Sequence, residues 1–332
     1  MRKAICILSI LALLVSCNDG KQKAGNIENG IQQTAKTAAG KFVDIDYTQC
    51  DLAYLVEGEL YFYNEDDNIN VKFVEESEPI FNFTFDTEGE TLYYSVEREG
   101  MLWIKSAVIS DSKITPKWLV DWGLNRKEFI SETDGGPSPL YYYKGELISR
   151  YNYSWDIYDF DKIAIYSIVN KNITQKKSDY FFLSKVFGEI SLEKSDQYFQ
   201  TVDKDLYYSN NNTKVALTNQ LNLDEIKREW IEDLWNETEF TDYTFSPDKT
   251  KILFGALIWQ GEVTLGPYCI SNVDGSKQMI LEQTRTDLGR KPIWLKNNKI
   301  AFIGDENKLF IADNDKNSIR QIAENAMIYV AI

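Results

Sequence analysis

Histidine is absent from the 332 residues. Its absence excludes Ser-His-Asp and Cys-His catalysis, histidine-containing zinc sites and histidine-based pH switching. No Gly-x-x-x-x-Gly-Lys phosphate cradle occurs, and Gly136-Pro137-Ser138-Pro139 lacks the second glycine of a nucleophile elbow. Basic residues are scarce: 36 Lys and Arg face 51 Asp and Glu, a formal charge of −15, so nucleic acid is not an expected partner. Long hydrophobic runs are missing too, because the apolar stretch from Ala4 to Val15 is too short to cross a bilayer. Only four cysteines are present, which rules out a disulfide framework.

What is there begins with that short apolar stretch. Met1-Arg2-Lys3 precedes it and Leu14-Val15-Ser16-Cys17 closes it. Two positive charges, a short apolar core and a small residue before a cleavage point are what export machinery reads. The tetrad resembles the lipobox of bacterial lipoproteins. That resemblance implies a signal peptide over 1–16, lipid on Cys17 and a place in the bacterial cell envelope, at the outer membrane or the cell surface. An ordinary cleaved signal with an incidental cysteine is the alternative. Loss of 1–16 removes two basic residues and takes the charge to −17, so membrane attachment is expected through the lipid alone and not through a basic face.

Residues 17–41 are polar, with Gly20, Gly25, Gly30 and Gly40, and have almost nothing to bury. They read as a flexible tether, a coil with an end-to-end distance of roughly 25–30 Å; a short helix around Ile31 to Ala39 would change its reach only. Cys6 leaves with the signal, so Cys50 and Cys269 are the cysteines of the folded part, either paired or buried as small apolar groups.

From 42 to 332 the pattern is β, and we expect one domain. Phe81-Asn82-Phe83-Thr84-Phe85 alternates, Asp86-Thr87-Glu88-Gly89 is a turn, and Thr91 to Val96 is rich in strand formers. The unit recurs as Tyr243-Thr244-Phe245, Ser246-Pro247-Asp248-Lys249 and Lys251-Ile252-Leu253-Phe254, with Phe85 and Phe245 equivalent. Second strands of such units start at Leu52, Leu92, Leu140, Tyr198, Ile252 and Ile300, at intervals of 40, 48, 58, 54 and 48 residues. That spacing suits four-stranded antiparallel blades, each burying its faces on its neighbours around an axis. The expected fold is therefore an all-β, six-bladed β-propeller, with seven blades as the alternative. Met327-Ile328-Tyr329-Val330 has no partner in its own unit and is expected to complete the blade holding Leu52 to Tyr63.

Phe245-Ser246-Pro247-Asp248-Lys249-Thr250-Lys251-Ile252, followed by Ser271-Asn272-Val273-Asp274-Gly275-Ser276, resembles the repeat of TolB-type propellers, which also occurs in dipeptidyl-peptidase propellers. Lys249 stands where that repeat usually has glycine. The resemblance implies a fold more than an activity.

One segment departs from the β pattern. Leu223, Ile226, Trp230, Leu234 and Trp235 fall at helical spacing behind a candidate N-cap, Asn222, so an amphipathic helix is expected at about 222–236, covering a channel mouth or a blade edge. The densest aromatic stretch runs from Tyr141-Tyr142-Tyr143 to Asp161, and it offers Tyr151, Tyr153, Trp155, Asp156, Tyr158 and Asp159 as ligand-binding residues. Rings beside carboxylates suit sugars, while packing between blades is the competing explanation. Asp313-Asn314-Asp315-Lys316-Asn317-Ser318 with Glu324 echoes a calcium loop, but Ser318 replaces the turn glycine and Arg320 intrudes, so no metal is expected.

No catalytic residue and no cofactor emerge. The expected function is a non-catalytic, lipid-anchored, monomeric propeller that binds an envelope protein or an extracellular ligand. The alternative is a glycan binder or a carboxylate-dependent glycoside hydrolase or lyase; a sensor or assembly accessory gated by the 222–236 helix is a third reading.

Overall fold

In the computed structural model, residues 46–111, 113–130, 138–151, 162–177, 199–210, 213–223, 238–260, 263–284 and 291–332 are described. The signal, Cys17, the tether and nearly all of the expected 222–236 helix lie outside them. Helical structure of more than one residue is confined, among the described residues, to three single 3-10 turns, Tyr47–Gln49, Arg126–Phe129 and Asp305–Asn307. None of the described helices is long and apolar enough to cross a membrane.

The strands follow one another in antiparallel sheets. Sheet 1 holds β1 (Leu52–Val56), β2 (Glu59–Asn64) and β3 (Ile69–Lys72); sheet 2 holds β4 (Ile80–Phe85), β5 (Thr91–Arg98), β6 (Met101–Val108) and β7 (Lys117–Asn125). Sheet 3 holds β8 (Leu140–Tyr143), β9 (Glu146–Tyr151), β10 (Lys162–Ser167) and β11 (Asn172–Lys177). Sheet 4 holds β12 (Phe199–Val202), β13 (Asp205–Asn210) and β14 (Thr213–Ala216). Sheet 5 runs β15 (Thr238–Phe245), β16 (Lys251–Gln260), β18 (Tyr268–Asn272) and β19 (Met279–Leu281), with β17 (Val263–Leu265) also pairing on β16. Sheet 6 holds β20 (Ile293–Trp294), β21 (Ile300–Ile303), β22 (Leu309–Asp313) and β23 (Ser318–Ala323). The last strand, β24 (Ala326–Ala331), returns to pair with β1, setting Tyr54 opposite Tyr329.

Turn chemistry sets the hairpins. β1–β2, β5–β6, β8–β9 and β12–β13 are each joined by two residues with positive φ: Glu57-Gly58 (51°, 84°), Glu99-Gly100 (55°, 79°), Lys144-Gly145 (50°, 81°) and Asp203-Lys204 (51°, 74°). This is the turn whose twist matches paired strands. The repeat seen in the sequence is reproduced in register, with Phe85 opposite Leu92 and Phe245 opposite Ile252. Of the expected second-strand starts, Tyr198 lies outside the described residues and Leu140 differs in rank. Leu140 opens the first strand of sheet 3, because the Lys144-Gly145 turn makes Tyr143 pair with Glu146 and leaves β9 as the second.

Five pairs of neighbouring sheets share buried clusters. Leu60 and Phe62 of sheet 1 pack with Phe83, Phe85 and Tyr94 of sheet 2. Leu102, Ile104 and Trp122 of sheet 2 pack with Leu140, Leu147 and Ala164 of sheet 3. Leu206 of sheet 4 shares a cluster with Ile252 and Phe254 of sheet 5, and Leu253 and Ile270 of sheet 5 share one with Ile300 and Phe302 of sheet 6. Ala301 and Leu309 of sheet 6 then meet Leu52 and Tyr54 of sheet 1. First strands lie against one another: β4 touches both β8 and β24, and β24 touches β20. Consecutive antiparallel sheets stacked face to face, with their first strands gathered inward, form the fold of a β-propeller.

Candidate functional site

Of the ligand-binding residues that the sequence offers, Tyr151 alone lies among the described residues. Tyr151 ends β9 with its ring 8 % exposed, packed on Phe129 at 6.2 Å between centroids. Tyr153, Trp155, Asp156, Tyr158 and Asp159 lie outside the described residues. Tyr142 stacks on Tyr93 at 5.9 Å, in the packing between sheets 2 and 3. Cys50 and Cys269 are both free thiols, buried in different clusters.

The calcium-like segment is the hairpin between β22 and β23. Asp313 accepts from the backbone N–H groups of Asp315 and Lys316, and Asp315 accepts from Lys251 at 2.6 Å and Lys277 at 3.1 Å. The side-chain hydrogen bond from Lys251 leads the causes that hold the Asp315 carboxyl below its ordinary range. Ammonium groups thus occupy the oxygens that a cation would need. Arg320 points elsewhere, to Glu65, which Lys299 and Tyr63 also bond at the seam between sheets 6 and 1. Among the described residues no group of three His, Cys, Asp or Glu side chains is placed to hold a metal ion.

A polar cluster forms where the first strands of sheets 5, 6 and 1 approach. The Tyr268 hydroxyl donates to Asp242 at 3.0 Å, Lys291 donates to the same carboxylate at 2.8 Å, and Tyr329 donates to the Lys291 carbonyl at 2.5 Å. A register shift in β15 between Thr241 and Thr244 turns Asp242 toward this cluster. Burial, and then the negative charge of Asp242, push the Tyr268 hydroxyl far above its ordinary value. It is a hydrogen-bond donor there, not a base. With both carboxylate oxygens accepting hydrogen bonds, the cluster ties strands together.

A cleft among the described residues lies beside the outer strands β19 and β23. It has a volume of about 440 Å³ and is lined from three sheets: Gln220 to Asn222 follow β14, Gln278 to Gln283 surround β19, and Asn317 and Ile319 come from the start of β23. Gln278 fixes the wall. Its amide nitrogen bonds Ala216 O, Asn219 Oδ1 and Gly275 O, and its oxygen accepts from the Gln220 N–H at 2.8 Å. Gln283 Oε1 is buried with no partner, and Glu282 is exposed with no ion pair among the described residues. Such a lining can bind by hydrogen bonds and apolar contact; it pairs no nucleophile with a base. The sequence did not signal this place, since its residues come from stretches nearly one hundred positions apart and carboxamides follow no motif.

No protein-family model matches the chain, and no curated protein matches it. Among solved structures, TolB from Acinetobacter baumannii aligns with 86 % of this chain and 67 % of its own, at 12 % identity and a TM-score of 0.42. A putative 6-phosphogluconolactonase from Bacteroides fragilis aligns with 86 % of this chain and 99 % of its own, at 10 % identity and a TM-score of 0.38. A putative TolB from Agrobacterium tumefaciens aligns over 84 % and 78 %, at 13 % identity and a TM-score of 0.29. The activities that these names carry are said of those proteins alone.

Proposed function

We propose that the protein is a lipid-anchored, non-catalytic propeller of six blades that binds a protein partner at the bacterial cell envelope. The observation that carries the binding role is the cleft joining sheets 4, 5 and 6, whose wall is fixed by Gln278 while Glu282 and Gln283 Oε1 are left to meet something else. The non-catalytic reading is supported by how the acids near the core are used. Glu65, Glu76 and Asp242 are each engaged by a lysine, and a carboxylate held in an ion pair is a poor general acid. Six blades are supported by five shared clusters between successive sheets and by the β24 splice, which joins the two ends of the ring in one sheet.

Leu14-Val15-Ser16-Cys17 supports the anchor. Labelling cells with an alkyne analogue of palmitate should tag the protein, and Cys17→Ser should abolish the tag and release the chain from membranes. For the partner, cross-linking in intact envelopes followed by affinity purification should return one protein in stoichiometric yield. Recovery of no protein, together with release of reducing sugar from envelope polysaccharides, would replace this reading with the glycan-active one.

A further inference from the structure

The geometry points to an extended segment of the partner protein as the occupant of the cleft, paired along the free edge of β19 and presenting a basic side chain to Glu282 and Gln283. This rests on the protein-binding role proposed above and names the site and the chemistry. Among the described residues β19 is the outermost strand of sheet 5 and pairs with β18 alone. The outer edge of such a strand carries backbone donors and acceptors that a second extended chain can satisfy. β19 also forms part of the cleft wall, where Met279, Ile280, Leu221 and Ile319 supply apolar surface on which alternate side chains of an added strand can rest.

The polar groups select the class of side chain. Gln283 Oε1 is a buried acceptor with no donor among the described residues. Glu282, beside it in sequence and in the same lining, is the one charged residue there and keeps its carboxylate exposed. Two acceptors and no free cation call for a donor that is itself charged, a lysine or an arginine. The formal charge of −15 attracts a basic segment over longer range. No Phe, Tyr or Trp is among the described residues that line the cleft.

The test uses the intact protein and fluorescein-labelled heptapeptides in which valine alternates with lysine, glutamate or serine, read by anisotropy. The lysine peptide is expected to bind at least about tenfold more tightly than the other two. Replacing its central valine by proline, which removes a backbone donor, should cost about tenfold. Glu282→Gln should weaken the lysine peptide about threefold, and Ile319→Arg, which fills the cleft with a cation, should abolish binding. Glu88→Gln, at an exposed acid in the β4–β5 turn, should leave it unchanged, and circular dichroism should show all variants folded. Equal binding of the lysine and glutamate peptides, unchanged binding by Ile319→Arg, or displacement of the peptide by envelope oligosaccharides would overturn the proposal. If Ile319→Arg still captures the cross-linked envelope partner, the cleft is the wrong place while the binding role stands; if the native protein captures none, the role itself fails.

Discussion

Five lysines have positive φ, where the backbone favours glycine, and two of them stand out. Lys249 has φ 61° in the turn between β15 and β16, and Lys204 has φ 74° at the hairpin position that glycine fills in the other three turns of its kind. A side chain with a Cβ costs about 1 kcal/mol in that region. At Lys249 the cost is offset locally: Asp248 accepts from the Thr250 N–H at 3.0 Å and from the Ser246 hydroxyl at 2.7 Å, and these bonds, Ser246 first, hold its carboxyl below the ordinary range. Lys204→Gly should raise stability by about 1 kcal/mol and the melting temperature by about 2 °C, measured by thermal unfolding. Gly58→Ala should do the reverse, because an added Cβ would lie 2.9 Å from Pro79 Cβ. The thiols give a second residue-scale expectation. Burial, then Asp51 and Asp46, push the Cys50 thiol up to about 11, and burial alone pushes Cys269 higher still. Both should resist alkylation at pH 8 in the native state and react in denaturant, as counted by mass spectrometry.

At the scale of an element, the outer half of sheet 2 is held by charge as well as by ladder bonds. Glu76 and Lys105 form an ion pair with side chains 4 % and 11 % exposed, and the Tyr94 hydroxyl donates to the same carboxylate at 2.8 Å. Trp118 on β7 lies over the Lys105 ammonium at 4.5 Å and faces the Arg98 guanidinium at 5.2 Å, so the edge strand is latched by cation–π contacts. Burial alone would raise the Glu76 pKa, but bonds from Lys105, the Glu78 N–H and Tyr94, with the Lys105 charge, outweigh it and hold the value below 4.5. A carboxylate depressed in the folded state contributes stability that is complete above its unfolded pKa and is lost as pH falls through the folded value. Urea unfolding of the native protein should therefore weaken below about pH 4.5, and Glu76→Gln should flatten that part of the curve. Lys105→Met leaves the carboxylate buried without its partner and should cost about 3 kcal/mol at neutral pH.

For the whole molecule, closure rests on one strand drawn from the far end of the chain. β24 fills the inner edge of sheet 1, while Glu65 binds Lys299 and Arg320 across the seam beside it. Removing 326–332 would expose that edge and take Ile328 and Ile332 out of the cluster shared by sheets 1 and 2. The shortened chain should bind hydrophobic dye, unfold over a broader urea range and associate through the exposed edge, as seen by gel filtration. Glu65→Gln, which keeps the shape and removes the charge, should destabilise less than the deletion while leaving unfolding cooperative.

Much of this architecture was legible along the chain. Strand alternation, as in Phe81 to Phe85, and the turn at Ser246 to Lys249 act over a few residues, so composition and spacing alone decided the β character, the repeat and the pairing of Phe85 with Leu92. The return of the last strand to β1 was also readable, because an unpaired apolar strand has to be satisfied somewhere. The candidate site was not. Gln278 meets Ala216 and Gln220 only after two sheets have stacked, and the burial of Gln283 Oε1 depends on what packing shuts out. At Tyr151, strand propensity is local, but whether the ring packs on Phe129 or faces solvent is set by the neighbouring sheet. Local chemistry determined the strands, and contacts between distant segments decided which surfaces were left free to bind.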